Sequence, residues 1–392
     1  MHYRYLIVGG GMTGAAAAAA LRGADPAASI GLISSEEHPP YARPPLSKAL
    51  WKGEPESSIW RGTDKLGVDL RLRRRAATLD ARAKTVTEEA GDVVSYDTLL
   101  LATGGTPRRL PIGSDEIIYY RTYDDYRRLR ALANEKRRFA VLGGGFIGSE
   151  VAAALRLVGR DVTMVVPEDG IGARVFPADL SQFLVRYYRE QGVDVRTGEL
   201  LAGLTRSKDE LVLTTKGGQE VRADAVVGGI GIQPNVDLAV QAGARVDNGV
   251  VVDELLRTSV ADVFAAGDVA NFFNPALDTR MRVEHEDNAN TMGAAAGRAM
   301  AGDKTPYTHL PFFYSDLFAL GYEAVGELDA RLETFSDWKQ PFREGVIYYL
   351  KDGRVRGVLL WNTWGQVDAA RALIAERRTV RAEQLRGRLP AA

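Results

Sequence analysis

Short apolar runs alternate with small-residue or amphipathic segments along most of this chain. Residues 5–8 form one such run, and a glycine-rich turn and an alanine-rich stretch follow it, which predicts a helix over 15–21. Residues 139–142 open a second unit of the same kind, with a helix predicted over 149–157 and a strand over 161–166. Because strand, glycine turn and helix in this order begin a βαβ unit, the pattern predicts an α/β fold with two such units.

The segment from about residue 305 has a different pattern. It is rich in aromatic side chains, and polar and apolar residues alternate over 345–350 and 356–361, which is typical of strands. We predict a small mixed domain here, with a sheet of three to five strands and a helix over 367–375.

The first glycine turn contains Gly9, Gly11 and Gly14 at the spacing G-x-G-x-x-G. In this motif the first glycine permits a tight turn, the second lets the backbone approach a diphosphate, and the third lets helix and strand pack closely. The helix N-terminus then presents its N–H groups to the phosphates. Glu36 follows the next predicted strand, where a carboxylate accepts hydrogen bonds from ribose hydroxyls. The unit therefore predicts a dinucleotide site.

The second glycine turn repeats this spacing with Gly143, Gly145 and Gly148. Its carboxylate is Glu168, after the strand over 161–166. A negative charge at this position repels a 2′-phosphate and favours NADH over NADPH. Arg174, six residues later, leaves NADPH open as the alternative.

A third signal is Asp268, which follows the apolar run 263–266. Aspartate is a frequent helix N-cap, and it is equally suited to accept a hydrogen bond from a hydroxyl group of a cofactor. The residues alone leave both interpretations open.

Length, net charge and the absence of cysteine exclude several classes of function. A chain of 392 residues predicts two or three domains, and a net charge of −1 gives no field that would attract nucleic acid or an anionic membrane. We expect no membrane span and no signal peptide, and hence a cytoplasmic protein. The absence of cysteine excludes disulfides, thiolate metal sites and a dithiol redox relay, and four scattered histidines predict no metal site.

These motifs together resemble the pyridine nucleotide–disulfide oxidoreductase superfamily. Within it, the chain is similar to bacterial flavoproteins related to apoptosis-inducing factor and to ferredoxin and rubredoxin reductases. The segments that carry the resemblance are 40–48, 102–107, 143–150, 265–268, 283–285, 313–317, 321–324 and 358–362. The second histidine of the family's Val-Glu-His-His is Glu286 here, and a long insertion before Gly345 is missing, so a role in cell death is not implied.

The resemblance implies a glutathione-reductase-like architecture. It has two Rossmann-like dinucleotide-binding domains, one for FAD and one for NAD, and a C-terminal α+β interface domain. We place the FAD domain at 1–111 and 240–304, the NAD(H) domain at 112–239 and the C-terminal domain at 305–392.

The resemblance also implies which residues bind the cofactors. For FAD they are Gly9, Gly11, Gly14, Glu36, Arg43, Lys48, Thr103, Gly104, Asp268, Glu284 and His285. For NAD(H) they are Gly143, Gly145, Gly148, Glu150, Glu168 and Tyr314.

Four of these residues have particular roles implied by the resemblance. Lys48 is expected beside the flavin, where a cation stabilises negative charge, and Glu150 is expected to pair with it across the two domains. His285 borders the flavin, and Tyr314 covers the nicotinamide site. With Lys48 and Glu150, His285 completes the expected catalytic set. From the residues alone, Glu150 is a carboxylate in the first turn of a helix, complementing its dipole, and Tyr314 is an aromatic residue of the core.

The implied activity is that of an FAD-dependent NADH oxidoreductase. Hydride passes from NADH to FAD, and electrons pass to an external acceptor such as ferredoxin, rubredoxin or a quinone. Two alternatives stay open: a dedicated ferredoxin or rubredoxin reductase, and a slow NADH-responsive sensor that changes its oligomeric state. A homodimer is compatible with either.

Overall fold

The structure is a computed structural model that describes residues 1–389. The chain forms two compact units, each built from three separate stretches. The first unit contains residues 1–42, 57–106 and 233–312; the second contains residues 43–56, 107–232 and the chain from 313 onward. The predicted division into three domains stays a prediction, and the last three residues of its C-terminal domain lie outside the described range.

Seven α-helices of the described residues, 1–389, are labelled in chain order. They are α1 (Met12–Ala24), α2 (Tyr123–Glu135), α3 (Phe146–Leu157), α4 (Ala178–Glu190), α5 (Asp237–Gln241), α6 (Glu286–Met300) and α7 (Val367–Ala375). Helices α1, α5 and α6 belong to the first unit and the other four to the second.

The first unit is built around a seven-stranded sheet. The order along its path is Asp69–Arg71, Ile30–Ile33, His2–Val8, Val93–Leu101, Thr85–Glu88 and Ala76–Asp80, and Val263–Ala265 also pairs with Val93–Leu101. His2–Val8 is parallel to both of its neighbours, and its apolar residues are buried. Because this strand is covered on both faces, it reads as a continuous apolar run in the sequence. A smaller sheet joins Val250–Val251, Ala270–Asn274 and Thr279–Met281.

Helices α1 and α6 pack against each other at two glycines. A Cβ at Gly293 would lie 2.4 Å from the carbonyl oxygen of Thr13, and one at Gly297 would lie 2.5 Å from that of Ala17. Both contacts advance by four residues along each helix, so the helices run in the same direction. Their N-termini, which follow Gly11 and His285, therefore lie at the same end of the pair.

The second unit contains a parallel sheet of five strands. Their order is Val193–Thr197, Asp161–Val166, Arg138–Leu142, Ala225–Gly228 and Ile117–Tyr119. Leu201–Ser207, Glu210–Thr215 and Glu220–Ala223 form an antiparallel sheet. Two short strands, Gly105–Pro107 and Ile232–Pro234, lie where the chain passes from one unit to the other.

The C-terminal part of the second unit confirms the predicted combination of a sheet of three to five strands and a helix. Five strands are arranged in the order Phe312–Leu317, Leu320–Gly326, Arg354–Trp361, Glu344–Lys351 and Glu333–Gln340. Helix α7 spans the predicted residues. Across residues 1–389, we find no helix that is both long enough and apolar enough to cross a membrane.

Helix α3 differs from the prediction at its start. It begins at Phe146, three residues before the predicted position, because Gly145 serves as its N-cap. This shift changes the interpretation of Glu150 below.

Candidate functional site

The first glycine turn has the shape that a bound diphosphate requires. Gly9 has a φ of +127°, and a Cβ at Gly14 would lie 2.1 Å from the Gly9 carbonyl oxygen. A Cβ at Gly11, in contrast, would meet no atom within 4 Å. Among the described residues, no side chain caps α1, whose N-cap is Gly11. Uncapped N–H groups beside open space fit the diphosphate of FAD.

The second glycine turn has the same features in the second unit. Gly143 has a φ of +100°, and a Cβ at Gly148 would lie 2.1 Å from its carbonyl oxygen. A Cβ at Gly145 would again meet nothing within 4 Å, and in the described chain no side chain caps α3. This turn therefore fits the diphosphate of a nicotinamide dinucleotide.

Each of the two predicted ribose carboxylates has a partner in its own unit. Glu36 accepts a hydrogen bond from the Tyr41 hydroxyl. Glu168 Oε1 lies 2.6 Å from Arg174 Nη2, and the Arg174 side chain is 84% exposed. Arg174, which left NADPH as an alternative to NADH, is therefore paired with Glu168, the carboxylate that disfavours NADPH.

Thr103 and Gly104 lie in a turn that is fastened by Asn235, a residue the sequence analysis missed. The Thr103 hydroxyl donates to the Asn235 carbonyl oxygen at 2.7 Å, and the Asn235 amide donates to the Thr103 carbonyl at 2.9 Å. The Asn235 backbone N–H donates to the Gly104 carbonyl at 3.0 Å. Because the Thr103 hydroxyl already donates its proton to Asn235, this residue would contribute to cofactor binding by holding the conformation of the turn.

Asp268 and Glu284 are joined by Arg282, a second residue that the sequence analysis missed. Arg282 Nη1 lies 2.6 Å from Glu284 Oε1 and donates to the Asp268 carbonyl oxygen at 3.0 Å. Asp268 lies within the 3₁₀ turn Gly267–Val269, whose N-cap is Ala266, so the N-cap interpretation of Asp268 is wrong. His285 is the N-cap of α6, and its side chain makes no capping hydrogen bond.

Lys48 and Glu150 form an ion pair inside the second unit. Lys48 Nζ lies 2.7 Å from Glu150 Oε1, and their side chains are only 11% and 3% exposed. The predicted domain boundaries separate these residues, whereas both belong to the second unit in the structure. Glu150 is the fifth residue of α3, in its second turn, and the first turn contains no acidic residue. The interpretation of Glu150 as a first-turn carboxylate is therefore wrong.

Two serine hydroxyls complete this centre. Ser47 Oγ donates to Glu150 Oε2, and Ser315 Oγ donates to Glu150 Oε1, both at 2.6 Å. Ser47 lies in the 3₁₀ turn Pro44–Ser47, so part of the segment 40–48 is helical in this tighter form. The sequence analysis missed both serines, although each lies beside a residue that it singled out.

The charge of Glu150 acts on the pKa values of two buried tyrosines. Burial raises the pKa of Tyr188 and that of Tyr322 well above the usual value, and the negative charge of Glu150 raises both further. Both phenols are therefore neutral at physiological pH, and Lys48 supplies the positive charge that faces the carboxylate.

Tyr314 and Arg43 lie at the rim of the same unit. The Tyr314 side chain is 37% exposed, so it is not a core residue, and Lys48 Nζ lies 5.3 Å from the centre of its ring. Arg43 Nη1 donates to the Arg121 carbonyl oxygen at 2.7 Å. The two positions are compatible with the expected cofactor contacts, which stay predictions.

Two family models match most of this chain. The family model for pyridine nucleotide-disulphide oxidoreductases matches residues 3–293, and the model for the mitochondrion-associated C-terminal region of apoptosis-inducing factor matches 296–341 and 336–376. Apoptosis-inducing factor 1 of Dictyostelium discoideum is 34% identical, over 96% of this chain and 79% of that protein.

A ferredoxin reductase and a putidaredoxin reductase are similar over nearly their whole length. The ferredoxin–NAD(+) reductase component of the anthranilate 1,2-dioxygenase system of Burkholderia cepacia is 35% identical, over 95% of this chain and 94% of the relative. The structure of a covalent putidaredoxin reductase–putidaredoxin complex matches with a TM-score of 0.91 and 30% identity, covering 98% of this chain and 95% of that chain.

Proposed function

The chain belongs to the pyridine nucleotide-disulphide oxidoreductase family, and from this premise we propose that its electron acceptor is an iron–sulfur protein of the ferredoxin type. It is an FAD-dependent NADH oxidoreductase that passes electrons to an external acceptor. Its fold is α/β, with two dinucleotide-binding domains and a C-terminal interface domain.

The observation that carries the proposal is the end-to-end match to reductases of iron–sulfur carriers. The chain covers 94% of the Burkholderia reductase and 95% of the putidaredoxin reductase chain. It contains no cysteine, so electrons have no dithiol through which to reach a disulfide substrate. A carrier that takes electrons directly from the flavin satisfies both observations.

The bound cofactors supply hydride transfer from NADH to the flavin, and the protein positions them and sets the electrostatics. We assign the turns at Gly11 and Gly145 to the two diphosphates. We assign Lys48, held by Glu150, to the negative charge that the flavin acquires on reduction. We assign Tyr314, which is exposed beside Lys48, to limiting access to that charge.

The test uses the FAD-loaded protein with NADH and cytochrome c as the terminal electron acceptor. A panel of [2Fe–2S] ferredoxins, including putidaredoxin, is added in turn, with rubredoxin and a water-soluble quinone as the competing acceptors. At least one ferredoxin should accelerate cytochrome c reduction by about tenfold or more over the protein alone, a change of about 1.4 kcal/mol in barrier. Fast reduction of the quinone with no effect of any iron–sulfur protein would refute the proposal.

The match of the C-terminal region to apoptosis-inducing factor favours a second candidate, a slow redox sensor. A sensor would reduce every acceptor slowly and would change its sedimentation behaviour when NADH is added. Turnover with a ferredoxin and unchanged size on NADH addition would exclude it. A cytoplasmic location and a homodimer stay predictions.

A further inference from the structure

Glu150 is held by side chains from two other segments of the second unit. Ser47 comes from the 3₁₀ turn before Lys48, and Ser315 comes from the strand Phe312–Leu317. Both hydroxyls lie 2.6 Å from the carboxylate, on different oxygens. Ser47, Glu150 and Ser315 are all at least 95% buried. Water therefore contributes little to the solvation of this carboxylate.

Three donors surround the Glu150 carboxylate. A serine hydroxyl has one proton, and both serines donate theirs to the carboxylate. The Lys48 ammonium is a third donor, at 2.7 Å. An ionised carboxylate accepts at about four lone-pair sites, so three donors nearly saturate it. A buried ion pair is sustained only when further hydrogen bonds satisfy it, and the two serines supply them.

We propose that Ser47 and Ser315 are positioning residues for flavin reduction. By holding the Glu150 carboxylate in one orientation, they fix the position of the Lys48 ammonium. Without one of them, the carboxylate loses a donor that its buried surroundings do not replace, and it turns. The inference rests on the proposed place of Lys48 and Glu150 beside the flavin.

The test compares Ser47→Ala and Ser315→Ala with the matched control Ser181→Ala. Ser181 is also a buried serine of the second unit, but its hydroxyl donates to the Ile171 carbonyl oxygen, at 2.8 Å, and not to Glu150. All variants are studied as FAD-loaded proteins. The measurements are the rate of flavin reduction by NADH in stopped flow, the flavin midpoint potential and the melting temperature.

We expect each alanine variant to slow flavin reduction at saturating NADH by about tenfold, as expected for one lost hydrogen bond to a charged group. The midpoint potential should shift in the same direction as in Glu150→Gln. Ser47→Thr and Ser315→Thr, which keep a hydroxyl, should return both quantities toward wild type. Ser181→Ala should lower the melting temperature while rate and potential stay at wild-type values. If Ser315→Ala does not fold, Ser315→Cys provides the comparison, because it keeps the volume and weakens the donor.

Two outcomes would overturn the inference. Wild-type rate and potential in both alanine variants would show that the hydroxyls do not act on the ion pair. An equal effect of Ser181→Ala would show a general structural effect. No external acceptor takes part in these measurements, so a wrong assignment of the acceptor does not change their result. An unchanged potential in Glu150→Gln would instead refute the placement of the ion pair, and this inference with it.

Discussion

Replacing Glu168 with glutamine should change the preference between NADH and NADPH. In the structure Glu168 is paired with Arg174, which is almost fully exposed. A 2′-phosphate bound here would face a negative charge at Glu168 and a positive charge already engaged by it. Glu168→Gln removes the repulsion, keeps the size of the side chain and releases Arg174 for the phosphate.

The size of the effect follows from the charges. Two unit charges 4 Å apart interact by about 1 kcal/mol in water and about 4 kcal/mol at the effective dielectric constant near a protein surface. The Glu168 side chain is 26% exposed and its partner far more so, which places the pair near the lower limit. A 2′-phosphate carries nearly two charges, so we expect about 2 kcal/mol, or a change of about 30-fold in preference.

The assay is flavin reduction in stopped flow over a range of NADH and NADPH concentrations. The ratio of kcat/KM for NADPH to that for NADH should rise about 30-fold in Glu168→Gln, and adding Arg174→Ala should remove most of the gain. Glu190→Gln, at an exposed glutamate of the same unit, should leave the ratio unchanged. A ratio in Glu168→Gln equal to that of wild type would refute the reasoning.

Three further predictions concern the cofactor, alkaline stability and the route of the electrons. Gly11→Ala should fold, since a Cβ there meets no protein atom within 4 Å, but it should lose FAD because the methyl group enters the space assigned to the diphosphate. Gly23→Ala, where a Cβ also meets no atom within 4 Å, should keep FAD. The flavin absorbance of the purified variants is the measurement. Burial raises the pKa of Tyr96 to about 12, whereas the pKa of this group in the unfolded chain is about 10. The free energy of unfolding therefore keeps its full contribution from Tyr96 below pH 10 and falls as the pH rises from 10 toward 12. The loss amounts to about 3 kcal/mol, and Tyr96→Phe should move the midpoint of alkaline unfolding, followed by circular dichroism, to higher pH. Because the chain contains no cysteine, thiol alkylation should leave NADH oxidation with artificial acceptors unchanged. NADH-dependent reduction of glutathione disulfide would contradict the conclusion that electrons cannot leave through a dithiol.

The glycine turns could be predicted because their constraints are local. Gly14 must lack a Cβ because Gly9, five residues earlier, places its carbonyl oxygen 2.1 Å from that position, and the same holds for Gly148 and Gly143. Such short-range requirements appear as fixed spacing in the sequence. The C-terminal sheet and α7 were predictable for a similar reason, because alternation and helical periodicity report which face of an element is buried.

The side chains that organise the site could not be predicted in this way. Ser315 contacts Glu150 across 165 residues of chain, and Asn235 contacts Thr103 across 132. A serine before an aspartate or an asparagine after a proline has no periodicity and no characteristic spacing. Their roles depend on the tertiary arrangement that brings distant segments together, and only the structure shows it.

The position of Glu150 within α3 explains why its stabilising contacts come from outside the helix. The field of a helix N-terminus falls off within the first turn, and Glu150 lies in the second. The helix therefore contributes little to stabilising the carboxylate, whose side chain is only 3% exposed. Its polar partners are Lys48 and the two serines, all supplied by segments outside α3. The orientation of Glu150 and the position of the Lys48 ammonium are thus set by one shared group of contacts. A change in any member of this group alters the charge that the flavin would experience.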